Sequence, residues 1–342
     1  MAQASQRGPT PKLNSLEIGR GIAALAVVAH HAGLASSAFT THGHRTWLSE
    51  GWLGVDFFFV LSGFIIYYVH GADARTSQAA QRYFGRRLRR IYVPYLPITL
   101  ALITAYLVWP GLSEGHRDWS LFTSLTLLPS GSPPALSVAW TLVFEMTFYI
   151  MFLTFYLTRH FWLLVCAWAI STLWFNSFGG GGADGVLLST LFNPLILEFI
   201  AGMLMAALAR RLPTEFWFVG LGIGIFACLA YFMIPDVHRV FFGLALAPIV
   251  LGLAQAEARF GFRAPKWALL LGSSSYAIYL VHNPLQSLVA RAIRRFDSWE
   301  MTFIACIVAG VAAGVLYHLL YEKPVLTLIS QGLRRAHSLQ PD

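Results

Sequence analysis

Arg20 and His31 stand eleven residues apart in RGIAALAVVAHHAG, the first strongly apolar run of the chain. At 100° per residue that spacing returns to within about 20° of one helix face, about 16 Å further along the axis. Glu17, one turn before Arg20, joins the same stripe, while His30 is rotated by about 100° and points elsewhere. Ionisable groups inside a lipid-crossing helix are costly and mark a polar interior or a reacting centre. A plainer reading has Arg20 reaching back to the surface on its aliphatic stem, paired with Glu17, and His31 resting at the interface.

A second run, GWLGVDFFFVLSGFIIYY at 51–68, holds one acid, Asp56. Two antiparallel spans joined by a short loop place Asp56 at the depth of His31. A carboxylate beside an imidazole fixes its tautomer and supports a general base. The pairing also relieves an acid that would otherwise cost on the order of 2.5–3.5 kcal/mol in the membrane. The alternative is that Asp56 caps its own helix.

A third element, QRYFGRRLRRIYVPY at 81–95, sets Arg82, Arg86 and Arg90 at i, i+4, i+8 on one face, with Arg87 and Arg89 flanking. Arginine forks suit phosphate oxygens. A topogenic signal or a patch for anionic lipid would use the same residues. Pro94 and Pro97 are expected to interrupt the start of the span that follows.

The elements that position these groups follow from composition. Of 342 residues, 56% are hydrophobic, 15% aromatic and only 12% charged, with mean hydropathy +0.60. Soluble domains carry about 25% charged residues, so the chain reads as an all-α polytopic membrane protein. About ten runs approach the roughly 20 residues that cross a bilayer: 16–35, 52–70, 91–109, 138–159, 161–177, 189–210, 216–234, 239–256, 267–290 and 301–330. The division is a tail at 1–15, one transmembrane domain at 16–330 and a tail at 331–342. Residues 121–128 are apolar but too short to span. The first run also has the make-up of a cleaved signal peptide, but nine further spans, and the loss of Arg20 and both histidines, argue against cleavage.

With both termini cytoplasmic, only Arg45, Arg117, Arg239, Arg291, Arg294 and Arg295 of the 24 Lys and Arg residues fall on the far side. The net charge of +8 is then an insertion signal, and nucleic acid is not an expected partner. Arg291, Arg294 and Arg295 either meet an anionic glycan or mark an earlier end of the ninth span. Cys166, Cys228 and Cys306 form neither a metal pattern nor a disulfide framework. His42 and His44, in THGHR, read as a solvated loop and not a metal pair. No metal is expected.

Taken in order, RGIAALAVVAHH, GVDFFFVLSGF and RRLRRIYVPY resemble the integral-membrane acyltransferase family three, bacterial enzymes that O-acylate exopolysaccharide, lipopolysaccharide O-antigen, Nod factors and some small molecules. WTLVFEMTFY at 140–149, SSYAIYLVHNPL at 274–285 and Glu322-Lys323-Pro324 are similar to later blocks of that family, so the resemblance covers residues 16–326. It implies that Arg20 and His31 are the essential pair of span one, and that Arg86 and Arg90, with Arg87, handle acyl-CoA. Trp140, Glu145 and His282 would line the substrate cavity. Met146 stands where many members carry a second acid, which leaves any paired-carboxylate role open. The implied activity moves an acyl group, acetyl being the usual family choice, from cytoplasmic acyl-CoA to a hydroxyl of a cell-surface glycan at the inner membrane. His31 would be the base, oriented by Asp56. No GxSxG elbow or cysteine suggests an acyl-enzyme, so direct transfer is the first expectation and a histidine-acyl intermediate the alternative.

Buried charges also mark transport pathways, so a transporter or flippase for a lipid-linked sugar is the alternative. Its expected signature, repeated halves with matched broken helices, is not visible in the sequence. A membrane sensor that binds acyl-CoA without turnover is a third reading, which an intact His31–Asp56 pair would oppose.

Overall fold

Backbone amides find no water in hydrocarbon, so a lipid-crossing run must close its own hydrogen bonds as a helix. The computed structural model describes residues 13–41, 47–109, 118–178 and 185–338, and among them there are helices and no strands. In chain order the helices are α1 (Asn14–Phe39), α2 (Gly54–His70), α3 (Ser77–Val108), α4 (Leu121–Thr126), α5 (Trp140–Phe152), α6 (Thr154–Leu157) and α7 (Phe161–Phe178). They continue as α8 (Val186–Leu191), α9 (Leu195–Ala209), α10 (Trp217–Met233), α11 (Val240–Phe260), α12 (Lys266–Ile293), α13 (Trp299–Tyr317) and α14 (Lys323–Ser338).

Among the described residues, eight helical stretches are long and apolar enough to cross a membrane, against about ten expected. The helix over Phe161–Ser177 is apolar but shorter. At 28 residues α12 is long enough, yet it is not one of the eight, its composition being more polar. The last expected span is continuous: α13 passes through a π-helical turn, His318–Glu322, into α14, and together they form one of the eight stretches. The 121–128 segment forms only the six-residue α4. Tyr92 and Tyr95 of α3 tie it down by donating to the Thr126 and Ser124 carbonyls at 2.5 and 2.7 Å.

The interruption expected at Pro94 and Pro97 does not occur. α3 runs unbroken from Ser77 through both prolines, so the arginine cluster and the following span are one helix. A Tyr317 hydroxyl donates to the Pro94 carbonyl at 2.8 Å and supports the helix there from outside.

The bundle is assembled around α1 and α2. α2 crosses α9 where glycines replace side chains: a Cβ on Gly63 would lie 2.0 Å from the Phe199 carbonyl oxygen, and one on Gly202 the same distance from that of Val60. α1 and α12 touch in the same manner, with a Cβ on Gly272 falling 2.1 Å from the Glu17 carbonyl oxygen. Small residues allow such backbone approach, the main source of helix affinity where no hydrophobic effect acts between spans. The first turn of α1 is capped from α11. Glu257 accepts from the Asn14 and Ser15 amides at 2.7 and 2.8 Å, satisfying donors that a helix start leaves unpaired.

Candidate active site

A cavity of about 480 Å³ opens between α1, α2, α3, α5 and α12, within the usual range for a small-molecule site. Three cations line it: Arg20 from α1, and Arg87 and Arg90 from α3. α5 contributes Thr141, Leu142, Glu145 and Tyr149, a stripe at helical spacing, and α12 contributes Ser275, Tyr276 and Tyr279. A second space of about 350 Å³ shares Glu17, Arg20 and Arg90 with the first and adds Ser273, His318, Glu322 and Lys323. Arg20 therefore sits where the two meet, with Arg90, Glu17, Glu322 and Glu145 as its electrostatic neighbours.

Local packing holds these groups. The Arg87 guanidinium lies over the Tyr83 and Tyr149 rings, 5.9 and 5.5 Å from their centroids, a cation–π arrangement that leaves its fork toward the cavity. The Tyr149 hydroxyl donates to Glu145. At the far end, the Tyr279 hydroxyl donates to the Val138 carbonyl and meets the Thr141 hydroxyl, both at 2.9 Å.

Arg86, expected beside Arg90, is exposed and is not in the cavity wall. On a 3.6-residue helix Arg90 lies between Arg86 and Arg87 in azimuth, and the docking of α3 turns the Arg87–Arg90 edge inward. Trp140 does not line the cavity either. Five residues from Glu145, it faces about 140° away around α5 and packs edge-on against Phe59 and Phe144, with ring centroids 6.5 and 5.9 Å away. His282 lies one turn beyond Tyr279, fully buried behind that ring and outside the cavity wall.

The expected His31–Asp56 pair is replaced by two separate arrangements. Both Asp56 oxygens are engaged by Arg239, from Nε at 3.2 Å and Nη2 at 2.8 Å, and the guanidinium also stacks 4.5 Å above the Trp52 ring. Glu198 of α9 is fully buried in the same cluster, fitting where Gly243 of α11 has no side chain: a Cβ there would be 2.3 Å from its carboxyl carbon. His31 instead meets His282, Nδ1 to Nε2 at 3.4 Å, and its Nδ1 also faces the Val27 carbonyl at 3.0 Å. The pairing failed as an expectation because equal depth does not set azimuth. α2 turns Asp56 toward α9 and α11, while α1 turns His31 toward α12.

Sequence reasoning passed over Glu198, Arg239 and Tyr279. Glu198 had a signal, being the single acid in the 189–210 run. Arg239 had none beyond its place in an outer loop. His42 and His44 lie outside the described residues. Among those described, no group of three His, Cys, Asp or Glu side chains could hold a metal ion.

A family model described as an acyltransferase domain matches residues 13–319. The exopolysaccharide production protein ExoZ of Rhizobium meliloti is 31% identical over 306 residues, covering 83% of this chain and 92% of that protein. The peptidoglycan O-acetyltransferase OatA of Listeria monocytogenes is 23% identical over 316 residues, 79% of this chain and 48% of its own length. The O-acetyltransferase OatA of Staphylococcus aureus is 23% identical over 286 residues, 71% and 47% respectively. The chain thus spans about half the length of these two relatives. No solved structure matches it.

Proposed function

The chain belongs to this acyltransferase family, and from that premise we propose that it moves an acyl group, acetyl first, from acyl-CoA to a hydroxyl of an exported glycan. The observation that carries the reading is the cavity lined by three arginines with, behind Tyr279 and outside its wall, the His31–His282 pair. Full-length similarity to an exopolysaccharide production protein favours an exopolysaccharide acceptor. The family match lends nothing to the transporter reading.

The donor's diphosphate and 3′-phosphate would meet Arg87, Arg90 and Arg20, with Arg86 at the exposed rim, and its pantetheine arm would lie along the apolar wall of α2. In this reading the donor enters from the cytoplasmic side of the inner membrane, the side that the positive-inside bias gives to the arginine cluster. An alcohol attacks a thioester slowly because it holds its proton near neutral pH. His31 takes that proton as the hydroxyl oxygen bonds to the thioester carbon. The carbon–sulfur bond then breaks, and the CoA thiolate leaves and recovers the proton from the imidazolium. General bases contribute roughly 10²–10⁴-fold. Asp56 has no part in this step, its two oxygens being held by Arg239.

The test is release of free CoA thiol from acetyl-CoA by the purified protein in nanodiscs, with exopolysaccharide oligomers as acceptor, for wild type and His31→Ala. Loss of release in His31→Ala with retained acetyl-CoA binding supports the reading. Equal rates in the two proteins would remove His31 from the chemistry.

A further inference from the structure

His282 is fully buried, unlike the exposed histidines of the loops, and no role follows for it from the cavity. Its surroundings are built. The Cβ that Gly310 of α13 lacks would lie 3.1 Å from the His282 Cβ, so α13 closes on the back of the residue and leaves its ring the α1 side. One turn further along α12, Gln286 donates to the Val28 carbonyl at 3.0 Å and ties the same two helices together.

The hydrogen-bond partners decide where the protons are. A carbonyl oxygen only accepts, so a ring nitrogen facing one carries the hydrogen. His282 Nδ1 faces the Ile278 carbonyl at 3.0 Å and is therefore N–H, which leaves its Nε2 as a lone pair. His31 Nδ1 faces the Val27 carbonyl at 3.0 Å and that lone pair at 3.4 Å. Two acceptors converge on one His31 nitrogen, so it carries the hydrogen and Nε2 is the basic atom.

We propose that His282 is the positioning residue of the reaction, holding His31 as its Nδ1–H tautomer so that Nε2 faces the acceptor hydroxyl, a role expected of Asp56. The inference rests on the reading of His31 as the base. His282 works by orientation and by accepting from the imidazolium. It does not carry the proton away, because its own Nδ1–H is committed to a backbone carbonyl. The His30 ring stands edge-on to that of His31 with centroids 5.1 Å apart, and its Nδ1 faces the Ser49 carbonyl at 2.6 Å.

The experiment compares wild type, His282→Leu, His282→Gln and His31→Ala as full-length protein in nanodiscs. Turnover of acetyl-CoA and its KM are read together with the ¹⁵N shifts of the His31 ring in histidine-labelled protein. In wild type His31 should be Nδ1–H with Nε2 bare. His282→Leu should lower kcat about 10- to 100-fold, the usual cost of removing a partner that orients a reacting ligand. Its KM should stay within about twofold, because the arginines are untouched, and the His31 Nδ1–H signal should weaken, with the Val27 carbonyl alone left to hold it. His282→Gln, whose amide oxygen also accepts, should recover part of kcat and the Nδ1–H signal. A wild-type His31 protonated at Nε2 overturns the inference without need of any variant. So does a His282→Leu protein with wild-type kcat and tautomer while His31→Ala is inactive. A His31→Ala protein with full turnover instead overturns the base itself.

Discussion

Two groups of charge lie on opposite sides of α2, and they differ in whether there is space beside them. Asp56, Arg239 and Glu198 are packed into the contact of α2, α9 and α11, with Trp52 against the guanidinium and the Glu198 carboxyl group set against Gly243. Arg20, Arg87, Arg90 and Glu145 face an open volume of about 480 Å³. Burial of charge alone does not identify a site. In the first group Asp56 and Arg239 compensate each other and Glu198 fills the space beside Gly243, whereas the second carries excess positive charge next to empty space. On the proposed function, a phosphate-bearing donor would complete the second group.

The sharpest way to break this contrast is Asp56→Ala. Removing one partner of a buried pair leaves a charge without compensation, at a cost of about 3–5 kcal/mol. The expected result is little folded protein by size-exclusion chromatography and a sharply lower thermal midpoint in detergent. Asp56→Leu combined with Arg239→Met should recover much of the loss. A stable, well-folded Asp56→Asn protein without activity would move Asp56 back into the chemistry and end the distinction.

Arg87→Ala tests the opposite side. Losing a charge-assisted hydrogen bond should raise the KM for acyl-CoA about tenfold with an unchanged thermal midpoint. The wild-type KM should also climb with ionic strength as the field of the arginines is screened. A midpoint that falls as far as that of Asp56→Ala would make Arg87 structural. Gly243→Ala comes next, since the added methyl meets the Glu198 carboxyl group and overpacking costs about 1–3 kcal/mol. A thermal melt reads it, and kcat in the surviving folded fraction should match wild type. The smallest change is Tyr149→Phe, which removes the hydroxyl donated to Glu145. About 1 kcal/mol is expected, seen as a modest rise in KM.

Much of the site was legible where information runs along one helix. Glu17, Arg20 and His31 share a stripe because 3.6 residues make a turn, and Arg90, singled out in the arginine cluster, lies in the cavity wall. Arg86 and Trp140, which the family resemblance brought to the donor and to the cavity, lie outside the cavity wall. Periodicity says which residues share a face, and it is silent on which face turns inward. Glu145 shows the reverse: its block pointed to the cavity, and the stripe Thr141, Glu145, Tyr149 lies in the wall.

By itself, the sequence determined that this chain is a bundle of membrane helices, because 56% hydrophobic content in long runs leaves the backbone no other way to satisfy its amides. It also determined the order of charged groups along each helix. Only the tertiary structure decided which of them meet. The partner of Asp56 lies 183 residues away at Arg239, and that of His31 lies 251 residues away at His282. Those meetings depend on the rotation of each helix about its own axis. That rotation is set by where glycines let neighbouring backbones touch, at Gly63 and Gly202 for α2 and at Gly272 for α1, and no property of a single helix contains it.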